Sequence, residues 1–255
     1  MTFTATRGAY DAFMGRYADR LAPLLIAFAG VQRGERVLDV GCGPGSLTEA
    51  LGQVVGPEQV AAVEPSEPFA AATAERVPDA EVQVGAAESL PWAADTFDVA
   101  LAQLVVNFMS DADAGVAEMR RVVHPGGTVA ACTWDYSGGM TMLRTFWDAA
   151  LSLDPDTPDE ARTMRYNDPD VLQELWLRAG LKAVENDALV VEVAYTGFDD
   201  YWEPFTGGVG PAGAYTSSLD ADRRAALREE CRRRLGDPDG AFTLSAKAWA
   251  VKGRA

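Results

Sequence analysis

The chain holds one histidine, His124, and three cysteines among 255 residues. A lone imidazole offers a single position for histidine proton transfer. Cys42, Cys132 and Cys231 lie far apart, with neither metal-ligand spacing nor a disulfide framework, so no metal is expected. Cys42 and Cys132 sit in strand-rich contexts and read as buried thiols. Basic residues are also scarce: 22 Lys and Arg against 38 Asp and Glu give a net charge of −16. Such a surface repels phosphate backbones and argues against a nucleic-acid partner. The acids are spread along the chain rather than gathered in a tail, as a solubilising surface would be. No run approaches the roughly 18 unbroken apolar residues of a membrane helix, so no membrane partner is expected. Residues 1–30 carry Arg7, Asp11, Arg16, Asp19 and Arg20 and lack the apolar stretch of a secretory signal, which predicts a cytoplasmic protein.

What is present is alternation. Apolar residues make up 48% of the chain, enough for a substantial core. Strands are predicted at 36–40, 60–64, 81–86, 97–105 and 128–134, with helices from Ser46, from Ser66 to Arg76, and from Ser110 to about Val123. Ser110 with Asp113 resembles a capping box, and HPGG at 124–127 reads as a turn. Residues 97–105 are apolar on both faces, as a central parallel strand should be. The pattern predicts an α/β, Rossmann-like doubly wound sheet. Further strands are predicted at 188–195 and 241–253, with helices at 168–179 and about 220–235. No linker splits the chain, so residues 1–255 read as one domain with its core at 36–135. Two insertions follow, 136–167 and 197–240. The acidic DPDTPDE at 154–160 reads as an exposed loop, and DRRAALREECRRRL as a solvated helix with its charges ordered along the helix dipole.

The sequence RVLDVGCGPGSLTEAL at 36–51 places a tight glycine turn between a strand and a helix N-terminus, the nucleotide-binding arrangement of open α/β sheets. A nicotinamide site wants G-x-G-x-x-G, and its third glycine would fall on Ser46. The spacing present is G-x-G-x-G, at Gly41, Gly43 and Gly45. Glu64 ends the second strand, where a carboxylate accepts hydrogen bonds from ribose hydroxyls in either ligand class.

Four segments in order, VLDVGCGPG, VAAVEPS, AAESLPWAADTFDVALA and EMRRVVHPGGTVAACTWD, resemble those of the class I S-adenosylmethionine-dependent methyltransferases, in the branch of the quinone-biosynthesis C-methyltransferases. The resemblance covers about residues 36–135. It implies seven strands with the last antiparallel, helices over the cofactor at 1–30, and S-adenosyl-L-methionine as cofactor. It also implies roles. Gly41, Cys42, Gly43 and Gly45 would form the loop approached by the cofactor, with Asp39 receiving its ammonium or orienting the loop. Glu64 would hold the ribose, with Pro65 and Ser66 beside the adenine. Ala87 and Glu88 would lie at the adenine edge, and Gln103 and Leu104 beside the methionine portion. Where many members carry an Asp before this alanine, the chain has Ala86.

The function expected is methyl transfer to a small-molecule acceptor by in-line displacement. The rivals are a non-catalytic S-adenosylmethionine-binding protein and a nicotinamide-dependent oxidoreductase. No catalytic base is assigned. His124 precedes the fifth strand, at the edge away from the ligand, and Asn107 stands where many relatives have histidine. The candidate substrate pocket is Tyr17, Asn107, Trp134 and Asp135 with Tyr201 and Trp202. Arg16 is a candidate for the methionine carboxylate, and GGVGPAG at 207–213 for a lid hinge. For several of these aromatics, core packing is the competing reading.

Overall fold

The computed structural model describes residues 7–255, so the first six residues of the expected N-terminal cap lie outside the described residues. Among those described, seven strands form one sheet: β1 (Val37–Val40), β2 (Val60–Glu64), β3 (Glu81–Val84), β4 (Phe97–Gln103), β5 (Val123–Trp134), β6 (Lys182–Tyr195) and β7 (Phe242–Arg254). Their order is β3-β2-β1-β4-β5-β7-β6. β1 to β5 pair in parallel, and β7 runs antiparallel to both β5 and β6. The doubly wound sheet with its last strand reversed is therefore present. Strand order reverses between β1 and β4, and ligands of open sheets bind at the carboxyl side of such a switch.

The central strands are buried on both faces. Leu38, Val40, Ala100 and Ala102 belong to one apolar cluster, and Val37, Val99 and Leu101 to the other. This period of two explains the near-continuous apolar runs in the sequence. On one face lie α1 (Arg16–Ala29), entered through a widened turn at Asp11–Gly15, and α2 (Ser46–Val55). Tyr17, Leu21 and Leu25 recur every four residues on the buried stripe of α1. Helix α3 (Glu67–Arg76) follows β2. The other face is covered by α4 (Ala112–Val122), through Val116 and Met119, and by a helix described below.

The insertion after β5 folds into α5 (Thr141–Leu153) and the short α6 (Glu160–Thr163). Then α7 (Pro169–Arg178) joins α4 on its face, where Trp176 Nε1 donates to Val129 O at 3.0 Å. Between β6 and β7 run helical turns at Phe198–Trp202 and Glu203–Gly207, then α8 (Gly210–Ser218) and α9 (Ala221–Arg234). Phe146 of α5 stacks on Phe205 with centroids 4.4 Å apart, joining the two insertions in one aromatic core. Helix α9 buries only Leu227 and Cys231, one turn apart, as a largely solvated helix would.

Three local readings are corrected. Asp111, not Ser110, caps α4, because its Oδ1 accepts from Ala114 N at 3.0 Å. HPGG lies within β5, where Phe97 pairs with Val123 and Val99 with Thr128. The strand absorbs the extra residues as a bulge rather than ending in a turn. The stretch 154–160 is not exposed throughout: residues 154–156 and Pro158 are exposed, but Thr157, Asp159 and Glu160 are buried. Arg144 neutralises Asp159 at 3.0 Å, which lets the chain turn inward there.

Candidate active site

A cavity of ≈ 290 Å³ opens at the carboxyl ends of β1, β2 and β4. Its floor is backbone. Gly41 N donates to Val63 O at 2.8 Å, which draws the loop after β1 toward β2. A Cβ on Gly41 would stand 2.5 Å from a Val105 methyl, so only glycine fits beneath the loop that follows β4. Gly43 has φ +53, and a Cβ there would meet nothing within 4 Å. That backbone faces open space and is pinned from below, where Thr73 Oγ1 donates to its carbonyl at 2.7 Å.

Glu64 locks this floor to the end of β2. Its Oε2 accepts from Gly43 N and its Oε1 from Ser66 N, each at 3.0 Å. Burial raises the Glu64 pKa, while the two N–H groups oppose that rise by favouring the ionised form. Asp39 is 1% exposed, and Thr48 Oγ1 donates to its Oδ2 at 2.7 Å. Asp39 Oδ1 is buried with no partner among the described residues. Desolvation pushes Asp39 up to about 7, against the Thr48 hydrogen bond. Gln103 Nε2 donates to Ala18 O at 3.1 Å, and its Oε1 likewise has no partner among the described residues. Trp134 Nε1 is a third orphan. Leu104 takes φ +63, uncommon for a branched side chain and held by Leu104 N donating to Cys132 O at 2.9 Å. Strain of this kind concentrates at ligand sites.

The rest of the wall is side chain and mostly apolar. Tyr10, Phe13 and Met14 come from the N-terminal turns, and Phe69 from α3. Leu143 comes from α5, and Val209 with Pro211 from the start of α8. Phe13, Met14, Phe69 and Leu143 were not among the candidate site residues, whereas Val209 and Pro211 belong to the GGVGPAG segment read as a lid hinge. Phe13 and Tyr17 are spaced as one helical stripe, so their separation into wall and core had no signal in the pattern. Tyr136 also lines the cavity, as does Glu160, from the stretch read as a solvent loop.

Of the expected residues, Asp39, Gly41, Cys42, Gly43, Glu64 and Pro65 line this one cavity, as do Ala87, Glu88, Gln103, Leu104 and Trp134. The others stand elsewhere. Gly45 packs α2 on α3, where a Cβ would stand 3.1 Å from Thr73 Oγ1 and 3.3 Å from Arg76 Cδ. Ser66 contributes its N–H to Glu64 at the start of α3. Tyr17 is fully buried, its hydroxyl 2.6 Å from that of Tyr195. Tyr201 donates to Met142 O at 3.1 Å, and Trp202 stacks near Phe146, so both serve the aromatic core. Asp135 is taken by Lys247 at 2.8 Å. Asn107 Nδ2 donates to the Tyr136 hydroxyl at 3.3 Å, placing Asn107 behind the wall. Arg16 pairs with Asp200 at 2.8 Å outside the cavity. Glu88 Oε1 accepts from Ser110 N and Asp111 N, which anchors the segment before α4. His124 pairs with Asp98 at 2.6 Å, at the start of β5 and away from the cavity.

Residues 38–131 match the family described as Methyltransferase domain. The chain is 32% identical over 178 residues to ubiquinone/menaquinone biosynthesis C-methyltransferase UbiE of Burkholderia vietnamiensis, covering 63% of this chain and 72% of that protein. It is 35% identical over 131 residues to malonyl-(acyl-carrier protein) O-methyltransferase of Pseudescherichia vulneris, covering 51% of each. The chain spans about half the length of several of the curated relatives it matches. Among solved structures, the YcgJ protein of Bacillus subtilis superposes with a TM-score of 0.59 at 19% identity, over 92% of this chain and 98% of that one. The cyclase SpnF gives a TM-score of 0.57 at 19% identity, over 100% of this chain and 88% of that one. These two share the fold.

The chain belongs to the class I S-adenosylmethionine-dependent methyltransferase family, and S-adenosylmethionine is its cofactor. The cavity's chemistry fits that group. Two orphaned acceptors, Asp39 Oδ1 and Gln103 Oε1, suit an ammonium, and the orphaned Trp134 N–H suits a carboxylate. The Glu64 carboxylate suits vicinal hydroxyls.

Proposed function

We propose that this chain transfers a methyl group to a small, partly apolar acceptor by in-line displacement within the described cavity. The observation that carries the reading is the pair of buried, unpartnered acceptors, Asp39 Oδ1 and Gln103 Oε1, beside the backbone floor that Glu64 secures. Leaving such groups unsatisfied costs about 1–3 kcal/mol each, so a cationic ligand recovers what folding gave up there. When bound, S-adenosylmethionine supplies an electrophilic methyl group on a sulfonium. Asp39 and Gln103 would hold its amino-acid end and Glu64 its ribose hydroxyls. Gly41, Cys42 and Gly43 would present backbone, with Pro65, Ala87 and Glu88 at the base.

The remaining contribution is alignment and exclusion of water. Phe13, Met14, Leu143 and Val209 would form the apolar wall over the acceptor, in keeping with the two insertions as a cover on a single unit spanning residues 1–255. The name of UbiE, a C-methyltransferase of quinone biosynthesis, supports a small-molecule acceptor here. The net charge of −16 supports a soluble, cytoplasmic enzyme that avoids nucleic acid and membrane surfaces. Among the described residues no helix is long and apolar enough to cross a membrane.

Calorimetric titration with S-adenosylhomocysteine, NAD and NADP tests the cofactor half of this reading. Micromolar binding of the first alone, lost in Glu64→Ala, is the expected result; preference for a dinucleotide would overturn it. Acceptor turnover then separates transfer from a binding-only role or another reaction on this fold.

A further inference from the structure

Glu160 is a buried carboxylate that the cofactor reading leaves without a task. It lies in the first turn of α6 and is 4% exposed, yet it lines the cavity. Trp147 Nε1 donates to its Oε2 at 2.7 Å, the one hydrogen bond its carboxylate makes among the described residues. Asp159, its neighbour, is held by Arg144 at 3.0 Å and 3.2 Å through its two oxygens, so the nearby cation is already engaged. Desolvation pushes Glu160 up to about 7; the Trp147 hydrogen bond and Arg144 oppose the rise, and Asp159 adds to it. The Tyr136 phenol also faces it, its own rise increased by the Glu160 charge.

The other titratable groups of the cavity divide cleanly. Asp39, Glu64 and Glu88 belong to the strand-end floor and its edge. Tyr10, Cys42 and Tyr136 are pushed up by burial and keep their protons at neutral pH. Glu160 is the one carboxylate of the cavity that comes from the covering insertion among the described residues; the insertion also supplies Tyr136 and Leu143 to the wall.

We propose that Glu160 is the proton acceptor of the methyl-acceptor subsite, and that the acceptor has an apolar body with an O–H or N–H at the atom that is methylated. The proposal rests on the methyl-transfer reading above. In the step, a lone pair on the acceptor atom forms the bond to the methyl carbon, and the sulfonium–carbon bond breaks with its electron pair left on sulfur. The acceptor's proton passes to a Glu160 oxygen and reaches solvent after product leaves. A carboxylate that titrates near neutrality suits both halves of that cycle.

The test uses the full chain saturated with S-adenosylhomocysteine and, as probes, para-cresol, its methyl ether, para-toluidine and toluene, with affinities from nuclear magnetic resonance titration. At about pH 8 para-cresol should bind about tenfold more tightly than its ether or toluene, as expected for a donor facing an ionised acceptor. At about pH 6 that preference should shrink, and in Glu160→Gln it should no longer vary with pH. Glu160→Asp, the second variant, keeps the titrating group and should retain the pH dependence with a weaker preference. Equal binding of cresol and ether in the wild type, no binding of any probe, or an unchanged pH dependence in Glu160→Gln would overturn the proposal. Failure of the wild type to bind S-adenosylhomocysteine would instead overturn the methyl-transfer reading.

Discussion

The floor and the cover of the cavity are built on different principles. The floor, at the ends of β1, β2 and β4, is backbone held by a few buried polar groups: Gly41 under Val105, Gly43 on Glu64, Asp39 on Thr48. The cover, from the N-terminal turns and both insertions, is side chain packed on side chain, with Phe146 on Phe205 at its centre. Backbone recognition needs particular residues at particular positions, whereas an apolar wall needs only volume and shape. A floor of this kind fixes one ligand, and a cover of this kind is free to change its partner.

Gly41→Ala should break the floor most severely. Left-handed backbone and overlap with Val105 together cost about 4 kcal/mol. Denaturant unfolding should show that loss, and calorimetry should show no S-adenosylhomocysteine binding; near-normal binding would mean the loop is not a close-approach site. Next in size is a pH effect. Asp39 titrates near 7 when folded but near its ordinary 3.8 when unfolded. Between those values the folded chain keeps a proton that the unfolded chain has released, so stability falls as pH rises through the window. Glu160 acts in the same direction. Asp39→Asn should remove about 3 kcal/mol of this slope, read from unfolding between about pH 5 and pH 8.

Glu64→Ala frees Gly43 N and Ser66 N and removes the hydroxyl acceptor, for about a hundredfold loss of S-adenosylhomocysteine affinity. Leu143→Met on the cover should leave that affinity within about twofold while changing the binding of apolar probes, because the substitution conserves volume; an equal loss at both positions would erase the distinction between floor and cover. The smallest effect belongs to His124→Asn. Asp98 raises the His124 pKa, so this pair stabilises below the ordinary imidazole value and fades as pH rises through the raised one. Both partners are more than a third exposed, so less than about 1 kcal/mol is at stake, and cofactor affinity should not move.

The same division explains what could be read from sequence. The strands and the glycine loop were legible because two-residue alternation and glycine spacing are local signals, and eleven of the expected cofactor and pocket residues share one cavity. The cover was not. Tyr17, Tyr201 and Trp202 have the composition of a pocket wall but fill the core, while Phe13 and Leu143 look like core and reach the cavity. Which side of a packed helix faces a void depends on its neighbours in three dimensions. Glu160 was missed for a related reason: the acids around it read as a hydrated loop, and only the distant Trp147 and Arg144 make its inward turn affordable.

The antiparallel pairing of β6 and β7 carries one more consequence. Tyr195 and Phe242 are register partners, with rings stacked 5.2 Å apart, so the excursion between them leaves and re-enters the sheet at one hairpin end. Its two stems are clamped before its first helix begins. Lengthening the exposed turns within residues 196–241 therefore adds little closure entropy. In engineering terms the fold offers a cassette with a fixed socket, and Phe205 stacked on Phe146 is the contact that any replacement has to keep.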